Sequence, residues 1–236
     1  EDDDDNSWKV RRAAVRVIRA VIEAHPEQHT FIYEHCSEAL LRRFRERAEQ
    51  VRVDVIGCYS VLLAAGGPSL NKATGAGAGS TVDDIVSATC KQLQGSDRDV
   101  QSKSKAMELL TRLVEVQRVQ GHGLQRSHLE LVFADLVVLI RNSKLASLRI
   151  QQLQLLALLV NAHAPADIQG LVSGETSADG KRGDFSLLPT VIACAKEGGY
   201  KNISVTLEVL NALIPKLRPL AAPEGQGLDG DGEVIM

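Results

Sequence analysis

An all-α solenoid of stacked antiparallel helix pairs is the fold this sequence predicts, and three observations predict it. Apolar residues recur at three- and four-residue steps along most of the chain, the period of amphipathic helices. Aromatics make up only 3% of the 236 residues, whereas strands draw on aromatic and β-branched side chains. Helices of one kind also open on the same two-residue signature at near-constant spacing.

The elements follow in order. Residues 1 to 6 are five acids and an Asn, a like-charged block that reads as a solvated, flexible linker. Ser7 is a candidate N-cap. Val10, Ala13, Ala14, Val17, Ile18, Val21 and Ile22 then form one apolar stripe of a first helix, closed by Pro26. A second helix fits His29 to about Glu49, with Phe31, Ile32, Ala39, Leu40 and Phe44 on its apolar side. A third fits Val51 to Ala65. The Gly- and Ala-rich residues 66 to 80 read as a loop. Helical pattern resumes at Thr81, turns at Gly95-Ser96-Asp97, and continues from about Asp99 to Val119 until Gly121 and Gly123. Further helices fit 124–141 and 145–162, then, after a polar stretch near 164–183, 185–196 and 200–217. The tail 218–236 carries Pro219, Pro223 and four glycines and reads as flexible. The expectation is about nine helices in one array over 7–217, with no convincing strand.

The repeat is the informative feature. Trp8-Lys9, Val51-Arg52, Val100-Gln101, Leu148-Arg149 and Tyr200-Lys201 each pair a hydrophobic residue with a polar, usually basic one at a helix start. The polar positions are separated by 43, 49, 48 and 52 residues, the longer steps containing the insertions. A helix-pair repeat of roughly 40 to 47 residues is the HEAT and armadillo period. Each pair exposes an apolar face that it cannot cover alone, and the next pair covers it. A closed bundle needs no such recurring signature. The prediction is a HEAT-repeat array of about four to five repeats, expected to coil as a right-handed superhelix.

Composition narrows function. A net charge of −3 gives no global field for nucleic acid. Cys36, Cys58, Cys90 and Cys194 are too scattered for a zinc spacing or a disulfide framework, and fit a reducing compartment. No apolar run approaches the ~20 residues of a membrane span, and no N-terminal segment reads as a secretory signal. The chain opens on Glu1 inside an acidic run and reads as a stretch of a longer protein. The glycines of the 66–80 loop lack Gly-Lys-Ser/Thr and the dinucleotide spacing. His29, His35 and Cys36 lack further ligands nearby. Asp229-Gly-Asp-Gly begins like a calcium loop without its closing Glu. Asn202-Ile-Ser matches a glycosylation triplet but falls inside a helix. No catalytic set, cofactor, metal or small-molecule substrate is called for.

Two basic features stand above the background. Lys9, Arg12, Arg16 and Arg19 fall on one polar stripe of the first helix. Arg42, Arg43, Arg45 and Arg47 crowd the end of the second. Either is a solvated face with cations placed well at a helix C-terminus, or a docking surface for an acidic protein partner. Scarce aromatics argue against nucleic acid.

The acidic run followed by Ser-Trp-Lys-Val-Arg-Arg-Ala-Ala (Ser7 to Ala14) resembles the cullin-associated, neddylation-dissociated family of HEAT-repeat regulators of cullin–RING ubiquitin ligases. Echoes follow in order at Ala39-Leu-Leu-Arg-Arg-Phe-Arg-Glu-Arg, at Val51-Arg-Val-Asp-Val with the Tyr59 to Leu63 helix, and from Tyr200-Lys to Arg218-Pro-Leu. The loop near 75 and the insertion near 174–183 depart from the family pattern. The resemblance implies a protein-binding scaffold, not an enzyme. It would embrace a cullin and its RING subunit when the cullin lacks its ubiquitin-like modifier, and promote exchange of substrate-receptor modules. It implies residence in cytoplasm and nucleus, with no nucleic acid or membrane bound. In that setting the Lys9, Arg12, Arg16 and Arg19 stripe is expected to face the partner. The alternative is a transport-type HEAT adaptor, which would need acidic or Trp/Asn-rich ladders that this stretch does not show; an enzyme with an appended helical domain is a third possibility, without a catalytic motif here.

Overall fold

The computed structural model describes residues 6–66, 81–96, 98–173, 187–197 and 199–217. The expectations for residues 1–5, for the Gly-rich loop beyond Gly66, for the later part of the 164–183 insertion and for the tail 218–236 lie outside the described residues.

Among the described residues there are ten α-helices and no strand. They are α1 (Ser7–Ala24), α2 (His29–Arg42), α3 (Glu49–Gly66), α4 (Val82–Leu93), α5 (Val100–Val119), α6 (Arg126–Asn142), α7 (Ala146–Ala162), α8 (Pro165–Ser173), α9 (Leu187–Glu197) and α10 (Tyr200–Leu217). They build two layers. In one, α1 packs on α3, α3 on α5, α5 on α7 and α7 on α10. In the other, α4 touches α2 and α6, and α6 touches α9. Across the layers α2 packs on α3, α4 on α5, α6 on α7 and α9 on α10. Four helix pairs therefore stack in chain order, and α1 extends the first layer by one helix. This is an all-α HEAT-repeat solenoid.

Every helix that opens with the recurring signature belongs to the layer of α1, α3, α5, α7 and α10. Its basic member has a structural task. Arg52 donates from Nη1 to the Glu46 carbonyl (2.7 Å) across the turn preceding α3. It also reaches forward to the next repeat, with Nε on Ser102 Oγ (3.0 Å) and Nη2 on Asp99 Oδ1 (2.9 Å). Arg149 likewise donates from Nη2 to the Ser143 carbonyl (2.5 Å) before α7. A guanidinium carries five donors in a fixed fork, so one side chain can close its own turn and tie to its neighbour.

The core is one continuous cluster running from Val15 to Leu213. Leucine fills its middle: Leu109, Leu110, Leu113, Leu153, Leu156 and Leu159 are fully buried. Burying such a side chain contributes roughly 1.5–3 kcal/mol. Near the N-terminal end Phe44 packs edge-on against Tyr59 (centroids 5.6 Å apart), and Phe133 is buried in α6.

The structure departs from the sequence reading at three points. The second helix stops at Arg42. Residues Arg43–Arg45 form a 3-10 turn, and α3 begins at Glu49. Phe44, 1% exposed, is drawn inward there, and no Gly or Pro marks the break. Residues 165–173, read as part of a polar insertion, form α8, which packs on α10. Ser7 is the first helical residue and not the cap; its Oγ accepts from Arg11 Nη1 (2.6 Å). The capping at Thr81 is complete, with Thr81 Oγ1 accepting from the Asp84 N–H and Asp84 accepting from the Thr81 N–H.

Candidate protein-interaction surface

The chemistry available to this surface is set by which cations find carboxylates. On α1, Arg12 and Arg16 both point Nε at Asp54 Oδ2 of α3, at 2.8 and 3.0 Å. Arg19 pairs with Glu23 one turn along its own helix (2.8 Å), and the Lys9 ammonium lies 5.8 Å from the centre of the Trp8 ring. The packing of α1 on α3 thus brings Arg12 and Arg16 together over one carboxylate. Lys9 and Arg19 stay on the same helix without joining that pair. The stripe keeps an excess of positive charge, since three of its four cations share two acids and Lys9 meets none. Arg16 is 61% and Arg19 50% exposed, while Arg12 is about one-third exposed.

Arg11, which the sequence reading did not single out, anchors α1 to the α2–α3 turn. Its Nε and Nη2 meet the two Glu46 carboxylate oxygens at 3.1 and 3.2 Å. Burial alone would raise the Glu46 carboxyl. Hydrogen bonds from Arg11 and from the Arg47 and Ala48 N–H groups outweigh it and hold the pKa below the ordinary carboxylate value. Helical spacing gave no hint of this bond, because its partner lies 35 residues away.

The second basic group lies on the α2–α3 turn. Arg42 pairs with Glu38 on α2. Arg43, Arg45 and Arg47 are exposed, and none has a carboxylate within ion-pair distance among the described residues. Of these, Arg45 lines a groove of about 620 Å³ between α2, the turn and α4, and Lys91 lines it from α4.

A further cavity went unseen in the sequence. It opens on the layer of α3, α5 and α7, encloses about 500 Å³, and is lined by Ser60, Thr111, Arg112, Glu115, Gln151 and Gln154 among others. Its polar residues read as ordinary outer-face positions of Leu-rich helices, and only the stacking of three repeats gathers them. Ser104 Oγ donates to Gln151 Oε1 (2.9 Å) nearby and fixes α5 against α7.

Residues with chemical potential elsewhere are engaged structurally. Burial pushes the Cys58 thiol up to about 11, and raises Cys90 as well, so neither is poised as a thiolate. His29 Nε2 lies 2.8 Å from the Ile22 carbonyl and His35 Nδ1 2.8 Å from the Phe31 carbonyl. Asn202, in the glycosylation triplet, is 4% exposed and donates to the Cys194 carbonyl (2.9 Å), joining α9 to α10. No described helix is long and apolar enough to cross a membrane.

Comparison with known proteins adds relatives to this geometry. No family model matches the chain. Over 233 residues it is 30% identical to Cullin-associated NEDD8-dissociated protein 2 of Mus musculus, covering 94% of this chain and 18% of that protein. Over 235 residues it is 29% identical to Cullin-associated NEDD8-dissociated protein 1 of Arabidopsis thaliana, covering 95% of this chain and 18% of that protein. A 62-residue stretch is 45% identical to the protein 1 of Drosophila melanogaster, covering 26% of this chain and 5% of the relative. The chain spans less than a fifth of the length of these relatives. Similarity running along nearly the whole chain, on a HEAT stack whose helix-opening signature recurs five times, matches it to a stretch of the cullin-associated NEDD8-dissociated proteins.

Proposed function

We propose that this chain forms part of the wall of a non-enzymatic scaffold that associates with cullin–RING ubiquitin ligases lacking the covalent modifier and promotes exchange of their substrate receptors. It would act in cytoplasm and nucleus. The observation that carries the reading is the alignment of 94% of the chain with relatives named for cullin association and NEDD8 dissociation. The fold supports it: a two-layer stack offers a long ledge of exposed helices for protein contact. Lys9, Arg12, Arg16 and Arg19 are proposed to face the partner, with Lys9 and Arg19 as the cations that do not share Asp54.

The test is gel filtration of the protein at its full natural length with a cullin–RING complex, prepared with and without the modifier. Co-elution with the unmodified complex alone is expected, and no complex with either form would remove the reading. In the same assay, Lys9→Glu with Arg19→Glu is expected to weaken association about ten-fold while leaving the Asp54 pair intact. Unchanged affinity would take the stripe out of the interface.

A further inference from the structure

The geometry points to a docking site for an acidic segment of a protein partner in the groove between α2, the Arg43–Arg45 turn and α4. This goes beyond the cullin-directed reading and does not need it. The groove holds about 620 Å³. Its floor includes Leu41 and Phe44, both buried, and its walls carry Arg42, Arg45, Ala88 and Lys91. Two carboxylates reach it, and both are already occupied. Glu38 holds Arg42, and Asp84 accepts from Thr81 in the α4 cap.

What remains is uncompensated positive charge. Arg45 and Lys91, which line the groove, and Arg43 and Arg47, two residues either side of Arg45 in sequence and outside the lining, are exposed and have no carboxylate within ion-pair distance among the described residues. The α1 cations differ, since three of the four sequence-predicted ones are paired. Concentrating four unpaired cations on a chain of net charge −3 costs mutual repulsion, which an anionic partner relieves. Arginine supplies planar, paired donors that match carboxylates, so a run of Asp and Glu fits the rim. The apolar floor accommodates an aliphatic side chain between them. Nucleic acid fits less well. No exposed aromatic ring lines the groove for base stacking, Phe44 being 1% exposed, and two carboxylates border it.

The test is fluorescence anisotropy of the 236-residue chain with a labelled peptide of about a dozen residues, rich in Asp and Glu with leucines interspersed. Salt-sensitive binding is expected. Arg43→Glu/Arg45→Glu/Arg47→Glu should lower affinity on the order of ten-fold or more, whereas Lys144→Glu/Lys196→Glu/Lys201→Glu, equal in charge change and remote from the groove, should change it less than about two-fold. Circular dichroism establishes that each variant is folded. Absence of binding, equal losses in the two variants, or tighter binding of a single-stranded oligonucleotide than of the peptide would each overturn the proposal. So would a gain of more than about ten-fold when Asp2 to Asp5 are changed to Asn, because the chain's own acidic run would then be the occupant.

Discussion

At the scale of single residues, Arg52 shows how one side chain links local to long-range order. Its side chain, 11% exposed, meets through its guanidinium a carbonyl of its own turn, a hydroxyl and a carboxylate of the next repeat. Breaking a buried charge pair costs about 3–5 kcal/mol, and Asp99, 32% exposed, recovers some hydration when abandoned. Arg52→Met is therefore expected to lower unfolding stability by about 2–3 kcal/mol in urea titrations. Arg52→Lys should recover less than half of that, because one ammonium cannot span three acceptors set by a planar fork. Full recovery with Lys would reduce the role to a point charge. The sequence exposed this position through its repetition at Lys9, Arg149 and Lys201 but not its partners, which lie up to 50 residues away. His163, just past the predicted 145–162 helix, is buried, and Nε2 accepts from the Leu124 N–H (3.0 Å) while its carbonyl accepts from Lys216 Nζ (2.6 Å). With Nε2 accepting, the ring proton belongs on Nδ1, facing the Leu159 carbonyl at 2.7 Å.

At the scale of the element, the sequence located most helices but could not assign their faces. On α1 all apolar positions looked like one stripe. The structure divides them: Ile22 is fully buried, whereas Val10, Val17 and Val21 are 72%, 63% and 43% exposed, and Val15, outside the predicted stripe, is buried at 8%. The helix buries one side on α3 and leaves the other uncovered, and hydrophobicity alone does not tell these apart. Ile22→Ala is expected to cost about 2–5 kcal/mol, and Val17→Ala less than about 0.5 kcal/mol. Chemical denaturation of both variants checks this; similar losses would mean that the Val17 face is covered in solution. The missed helix, α8, has its own explanation. Pro165 and Asp167 are sound start signals, but Gly170 reads as a breaker. In the folded chain a Cβ at Gly170 would meet Arg126 Nη2 at 2.5 Å, so the glycine accommodates a neighbouring guanidinium inside a helix. The α2–α3 break failed for the opposite reason, since nothing in Arg-Arg-Phe-Arg announces a turn and only the burial of Phe44 imposes it. The basic groove was accordingly legible as a cluster of arginines but not as a cavity, because Lys91 joins it only through the packing of α4 beside the turn.

At the scale of the whole molecule, the stack makes stability a property of neighbours. Helices α3, α5 and α7 are each covered on two sides within their layer, by α1 and α5, α3 and α7, and α5 and α10. Helix α1 is covered on one side only, and α10, which meets α7, α8 and α9, leaves Tyr200, Leu207 and Ile214 86%, 51% and 60% exposed. In such a quasi-one-dimensional array, opening a terminal helix breaks one interface, whereas opening a central one breaks two. Amide hydrogen exchange under native conditions should therefore show a gradient. Protection is expected to be greatest in α5 and to fall toward α1 and α10, with end helices exchanging through local opening about 2–4 kcal/mol below the level of the centre. A closed bundle of the same helices would behave otherwise, since every helix would share one core and exchange would approach a single cooperative limit. Uniform protection from α1 to α10 would thus contradict the stacked architecture, or reveal that the exposed end faces are paired between molecules. Repeating the exchange at a several-fold lower protein concentration separates these outcomes, because intermolecular pairing weakens on dilution and a shared core does not.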